Sequence, residues 1–304
     1  MEALTAFLTQ VTMYAAIYTL ASLGIIVSGR AGVFNVGAEG IMLAAASAGF
    51  IAANLSGSWL LGFAAGALAG LLLGALLGAV HEAFKVSQFI LGITLVILGS
   101  GFSDLLYKVV MGVRLDAPQA PATPILSVPL LGELPVLRAF FRQNAVVFFM
   151  YAACAAAWWF FYGTRLGLET RAIGENPRAA DVVGVNVTLR RLAATAIGSL
   201  LIGVAGAYIP LVVTQSYSPG IAAGRGFMAI GIAIFASWRP QRVLLGGLLF
   251  AAVEVLSFQL QILSARIPYQ FFLMLPFVSV LVVMALFRKR IEFPAAIGRP
   301  YGRE

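Results

Sequence analysis

Charge is what this chain has least of: 11% of its 304 residues are charged, where soluble domains carry about 25%. With 61% hydrophobic residues and a mean hydropathy of +0.96, its surface cannot face water everywhere. A single cysteine, Cys154, excludes an internal disulfide and any cysteine-built metal site; lying in an apolar run, it reads as a small packed residue. The one histidine opens the stretch His81-Glu82-Ala83-Phe84-Lys85, which starts like a zincin motif. Lys85 stands where the second histidine ligand must be, so that metalloprotease is excluded. No nucleophile elbow of the form G-x-S-x-G and no G-x-x-x-x-G-K-[ST] phosphate loop occurs, so the chain has no P-loop with which to hydrolyse ATP. The start, Met1-Glu2-Ala3-Leu4, lacks the basic region of a cleaved signal peptide, and the first apolar stretch is expected to stay as a membrane helix.

What is there is a series of apolar segments: 3–28, 32–54, 58–80, 87–113, 145–163, 190–213, 222–237, 241–261 and 268–287. They predict one all-α transmembrane domain over 1–304, a bundle of about nine spans. The net charge of +8 does not indicate a nucleic-acid partner, because the basic residues lie between apolar segments with no basic helix carrying exposed aromatics. Membrane lipid is the partner that composition demands. Residues 114–143 carry Pro118, Pro121, Pro124, Pro129 and Pro135 and are expected to form an external loop with little regular structure. Residues 164–191 carry Arg165, Arg171, Arg178, Arg190 and Arg191, and the tail 288–304 begins Arg288-Lys289-Arg290. Placing both in the cytoplasm puts most of the 20 basic residues inside, with the N-terminus outside if all nine segments span; a re-entrant 32–54 or 222–237 reverses that end.

Several segments are rich in small residues. Gly62, Gly66, Gly70, Gly74 and Gly78 recur every fourth position and read as a packing face. Leu72–Leu77 matches Leu244–Leu249 in pattern, with Glu82 level with Glu254, on helices expected to run in opposite directions; this is a faint inverted repeat. Asp104 and Lys108, four apart on one helix, are expected to pair.

Three stretches carry polar chemistry. In Gly29-Arg30-Ala31-Gly32-Val33-Phe34-Asn35-Val36-Gly37-Ala38-Glu39-Gly40, four glycines suggest a broken or tightly packed helix. Asn35 reads as a cap for the next helix. Glu39 has two readings: a carboxylate facing a cavity, or one favoured by a positive helix end. In Pro219–Ala229, Gly224 to Ala229 formally fits G-x-G-x-x-A, but no strand precedes it, so no dinucleotide site is expected; Arg225 is expected to anchor a helix end or meet an acidic group. In Glu175–Asn186, Asn176 suits an N-cap, Pro177 the first helical position and Gly184 a left-handed stop. A helix of about two turns there is too short to persist without docking against something.

Together these stretches resemble sugar- and nucleoside-type ABC permeases of the branched-chain amino acid/ribose/nucleoside superfamily. The Gly32–Gly40 run resembles their G-x-x-N-x-G-x-E-G signature, and the Gly174–Gly184 loop, Gly224-Arg225-Gly226-Phe227 and Trp238-Arg239-Pro240 are similar at matching positions, over about 14–287. The resemblance implies a permease subunit in the plasma (inner) membrane with a cytoplasmic C-terminus, and no enzyme activity or cofactor of its own. ATP would be bound by a separate ABC ATPase docking on a coupling helix made of Asn176, Pro177, Arg178, Ala179, Ala180, Asp181 and Gly184. It also implies a second permease subunit, an external substrate-binding protein, and a translocation pathway involving Phe34, Asn35, Glu39, Arg225 and Phe227. Glu39-Gly40 favours nucleosides or sugars over branched-chain amino acids, and the short N-terminus resembles the smaller permease of a nucleoside pair. The residues themselves leave open a self-sufficient secondary transporter or channel, for which Glu39, Asp104 and Glu254 would be the candidates. A membrane enzyme lacks a nucleophile–base or metal constellation.

Overall fold

The computed structural model describes residues 1–112, 118–129, 132–134, 136–263, 268–287 and 292–302. Pro135 and the Arg288-Lys289-Arg290 start of the tail lie outside the described residues. The chain forms α1 (Glu2–Arg30), α2 (Ala38–Ser56), α3 (Trp59–Phe84) and α4 (Gln88–Met111), then β1 (Ile125–Ser127), α5 (Arg138–Phe141) and β2 (Arg142–Asn144). There follow α6 (Ala145–Gly163), α7 (Arg165–Glu175), α8 (Pro177–Val182), α9 (Val187–Tyr208), α10 (Arg225–Phe235), α11 (Pro240–Leu263) and α12 (Tyr269–Phe287). Eight helices among the described residues are long and apolar enough to cross a membrane.

The bundle has two ends. At one, the 118–144 loop lies beside the N-terminus, where Ile125, Glu133 and Arg138 share a crevice with Met1 and Glu2, and the Gln143 amide donates to the Thr9 carbonyl (3.0 Å). At the other lie α7, α8 and the tail: the Ala296 N–H donates to the Gly174 carbonyl (2.9 Å) and the Gly298 N–H to the Gly32 carbonyl (3.3 Å). The proline-rich loop is more regular than expected. Its β1 and β2 pair antiparallel, Ile125 opposite Asn144, and Asn144 then caps α6 by accepting from Val146 and Val147. The cap explains why the ribbon ends there: one side chain closes the strand and satisfies two free helix donors.

α1 is the central post, with 83% of its most apolar window buried. α9 crosses it where Gly24 and Gly198 remove the side chains that would hold the backbones apart. The glycine stripe on α3 packs as its spacing predicts. A Cβ at Gly70 would lie 2.8 Å from the Gly203 Cα, and one at Gly74 would overlap the Ser199 side chain. Where lipid is as apolar as leucine, such close contact is the main source of helix adhesion.

The segment expected at 222–237 is not a full-length span. α10 has eleven residues, about 16 Å of helix, against a hydrocarbon core of about 30 Å. Before it, α9 ends in a π-helical turn, Ile209–Val213, and residues 214–224 run without helix. The chain still traverses the bundle. The Gln215 carbonyl accepts from Ala120 at the loop end (3.0 Å), and Trp238 lies at the tail end, its carbonyl accepting from Arg30 (2.6 Å). Eight continuous helices plus this broken crossing make nine passages, so the described N-terminus and tail lie at opposite ends of the bundle. The 32–54 segment is likewise shortened: residues 31–37 form a turn, and α2 starts at Ala38. α3 and α11 run antiparallel, as the faint repeat requires.

The α3–α9 contact generates a direct test. Gly70→Ala places a methyl against the backbone of Ser199 and Gly203, which cannot move aside. A destabilisation of about 1–3 kcal/mol is expected, measured as a lowered thermal unfolding midpoint in detergent. Gly101→Ala, on α4 with nothing within 4 Å of its Cβ, is expected to leave the midpoint unchanged.

Candidate functional site

The breaks before α2 and before α10 meet. Glu39, in the first turn of α2, is 6% exposed. One of its carboxylate oxygens accepts from the Gly224 N–H and the other from the Gly226 N–H, each at 2.7 Å. These donors belong to the N-cap and first turn of α10, groups with no partner within their own helix. The positive ends of two helices thus converge on one carboxylate. Gly224 adopts φ 81°, and a Cβ at Gly226 would strike the Glu39 backbone, so both glycines are needed for this approach.

Arg225 turns the other way. Its Nη2 and Nε donate to one oxygen of Glu254 (2.8 and 3.1 Å), and the Tyr18 hydroxyl donates to the second. The acidic partner expected for Arg225 is therefore Glu254 of α11. Asn35 is fully buried and does not cap α2, whose N-cap is Gly37; its amide nitrogen donates to the Ser199 hydroxyl (2.9 Å). The cap reading fails because two more residues of turn separate Asn35 from the helix. Its Oδ1 has no partner, the kind of buried acceptor that a moving neighbour or a water can satisfy. The Phe34 N–H donates to Gln88 (2.6 Å), and its ring meets Trp238 edge-on at 5.9 Å. Phe227 is 47% exposed and points away from this cluster. The structure thus gathers Glu39, Arg225 and, one layer below, Asn35 and Phe34, but not Phe227.

Toward the loop end the polar surface continues on α4. Thr94, Ser100, Gly101 and Lys108 are exposed, and Asp104 is half-buried. Asp104 does not pair with Lys108; it accepts from the Tyr217 hydroxyl (3.2 Å), which also bonds Ser103 (2.6 Å). Helical spacing permits the Asp104–Lys108 pair, but the tertiary partner wins. The spacing of Ser100, Asp104 and Lys108 in an otherwise apolar helix was the signal for this face. Beside it, Ser218, Pro219 and Gly220 expose irregular backbone. Such backbone and an intramembrane carboxylate are tolerated where they meet protein or line a water-filled cavity, not lipid.

At the tail end, Asn176 accepts from the Ala179 N–H (3.1 Å), Pro177 occupies the first turn of α8, and Gly184 (φ 87°) follows the stop. The helix is six residues, shorter than expected. Ala180 faces inward, 3% exposed, against Ile173, Val187 and Tyr301 of the tail. The surface that α8 presents outward is instead Ala179 with Val182 and Val183, the valines 87% and 77% exposed. Sequence spacing did not show this, because the covering residue, Tyr301, lies more than 100 positions away.

Residues 7–285 match the family described as branched-chain amino acid transport system / permease component. The chain belongs to that family. This permease is similar over most of its length to curated transport proteins. It is 34% identical over 255 residues to the "Putative glucose ABC transporter permease protein TsgC13" of Haloferax volcanii (82% of this chain, 76% of that one). It is 30% identical to the nucleoside ABC transporter permease protein NupC of Lactococcus lactis subsp. cremoris (92% and 91%) and 30% identical to the guanosine ABC transporter permease protein NupQ of Bacillus subtilis (95% and 94%). It is a multi-pass membrane permease and not an enzyme. The permease has no group of three or more His, Cys, Asp or Glu placed to hold a metal among the described residues.

The Glu39 clamp is testable by itself. Glu39→Gln presents an amide NH2 to an N–H that needs an acceptor, so one bond is lost and the charge that strengthens the other disappears. Hydrogen bonds to charged groups contribute about 1.5–3 kcal/mol. The permease should lose stability by that order, seen as a lower melting midpoint and earlier protease cutting near Gly224, before any transport defect is considered.

Proposed function

We propose that this permease is the transmembrane subunit of an ATP-binding-cassette importer that moves a nucleoside, or a related simple sugar, into the cytoplasm by alternating access. The observation that carries the substrate class is the similarity to nucleoside and guanosine permeases over more than nine-tenths of each chain. The family description names branched-chain amino acids, which makes leucine the competing substrate. In this reading ATP is bound and hydrolysed by a separate ATPase, since the chain carries no phosphate loop. A second permease covers the exposed polar face of α4, and an external binding protein delivers substrate at the loop end.

The ATPase docks on α8. Support comes from the way this helix is held: its inner side is anchored by Ala180 in the permease's own small core, while Val182 and Val183 project outward. An exposed apolar pair on a rigid mount is what helix-in-groove recognition uses. Substrate passes along α4 past Asp104 and the irregular 214–224 stretch, and the Glu39 clamp joins the two interrupted helices whose relative movement opens one end or the other. The arginines of 164–191 support a cytoplasmic location for the tail end.

Uptake by membrane vesicles carrying the whole complex should show ATP-dependent accumulation of labelled guanosine, competed by unlabelled nucleosides and not by leucine. Val183→Asp should abolish uptake and weaken ATPase co-purification by roughly thirty-fold, the loss of about 2 kcal/mol at an interface hot spot. Its melting midpoint should stay unchanged, because Val183 touches none of the permease core. Leucine competition with no nucleoside effect would replace the substrate class. Normal ATPase retention in Val183→Asp would move the docking site elsewhere.

Orientation has its own measurement. In a chain whose Cys154 is replaced by alanine, a cysteine at Gln119 should react with an impermeant maleimide added outside intact cells, and one at Glu175 only after permeabilisation. The opposite pattern would invert the assignment of both ends.

A further inference from the structure

Between α6 and α9, in the tail-end half of the bundle, a groove of about 440 Å3 opens on the outer surface. Alanines hollow its floor (Ala153, Ala157, Ala193 and Ala194), while Phe149, Phe160 and Ile197 wall it. One charged side chain lines it: Arg190, at the end nearest α7. From Arg190 to Leu201, the groove's limits on α9, the helix rises about 16 Å. That is the hydrocarbon depth of one leaflet, half of about 30 Å.

The mouth lies at headgroup level by an independent mark. Trp158, Trp159 and Tyr162, next to it on α6, are 52%, 62% and 41% exposed, as residues of an interfacial aromatic belt are. It is also cationic. Arg190 and Arg165 share the single carboxylate of Glu169 (2.8 and 3.4 Å), and the Arg171 guanidinium stacks over Tyr162 at 4.9 Å. Three arginines against one glutamate leave a positive rim above an apolar slot of leaflet length.

We propose that this groove is a binding site for an anionic phospholipid of the tail-end leaflet, with one acyl chain along the alanine floor and the phosphate between Arg190 and Arg165. The length of the slot selects an acyl chain rather than a helix or a soluble ligand, and the charge at its rim selects an anionic headgroup over a zwitterionic one. The site does not depend on which solute is transported.

Native mass spectrometry of the intact complex, released from nanodiscs of equal phosphatidylglycerol and phosphatidylcholine, tests it. Phosphatidylglycerol should be retained preferentially, and Arg190→Gln should lower its retention roughly five-fold, the effect of one cation at a membrane surface. Ala193→Phe fills the slot from an exposed position without entering the core, and should displace the lipid while leaving Arg190 in place. Arg142→Gln, at the loop end, should change nothing. Equal retention of the two lipids, or unchanged phosphatidylglycerol in Ala193→Phe, would overturn the proposal. So would cross-linking from Ala156 to another protein chain of the complex, which would make the groove a subunit interface.

Discussion

Two backbone N–H groups, those of Gly224 and Gly226, end on the Glu39 carboxylate, and the architecture turns on that pair of bonds. A helix that starts inside a membrane exposes donors that neither lipid nor its own turn can satisfy. Here one side chain, itself in the first turn of α2, answers the start of α10. Its neighbour Arg225 then reaches Glu254 of α11 and, through it, Tyr18 of α1. Four elements are thereby joined around a break that none of them could hold alone. Removing one partner of such a buried pair leaves an uncompensated charge, which is why the cluster acts as a unit.

Around this polar junction the bundle is held by close approach. α1 is enclosed by α9, α10 and α11, and the crossing of α3 with α9 depends on glycines facing backbone rather than on large side chains filling space. Pro210 and the π-turn at Ile209–Val213 close α9 near the loop end, and the chain continues as the irregular limb that returns to the Glu39 level. The tail closes the opposite end, bonding to Gly32, Gly174 and Glu175, while the Arg191 guanidinium donates to the Arg299 carbonyl (3.2 Å) and pairs with Glu82. The tail therefore spans the α7–α8 stretch and the turn that precedes α2.

Much of this was legible in the chain. Apolar length marked every passage, including the one that is only half helical, because the 222–237 segment is apolar whether or not its backbone is regular. The fourfold glycine spacing marked a packing face, and Asn176, Pro177 and Gly184 marked the ends of α8, since caps and stops are local chemistry. Contacts across long separations were not legible. Glu39 and Gly224 are distant in sequence, and no spacing rule joins a carboxylate to backbone donors. Asn35 looked like a cap because caps are read from neighbours, yet the turn runs on to Gly37. Ala180 was counted in the coupling helix, and nothing near it in sequence shows that Tyr301 covers it. Asp104 was assigned to Lys108 by helical spacing and answers to Tyr217.

The irregular limb 214–224, whose backbone is exposed at Ser218, Pro219 and Gly220, has a consequence in the membrane. Glu39, where that limb ends, lies seventeen residues below Ser56 on α2, about 25 Å of helix, so the irregular stretch runs through most of a bilayer's depth. Its outward side exposes irregular polar backbone at Ser218, Pro219 and Gly220. Hydrocarbon cannot satisfy such backbone, which is tolerated at membrane depth where it meets protein or lines a water-filled cavity. In the proposed importer, the second permease is the piece that would close that surface.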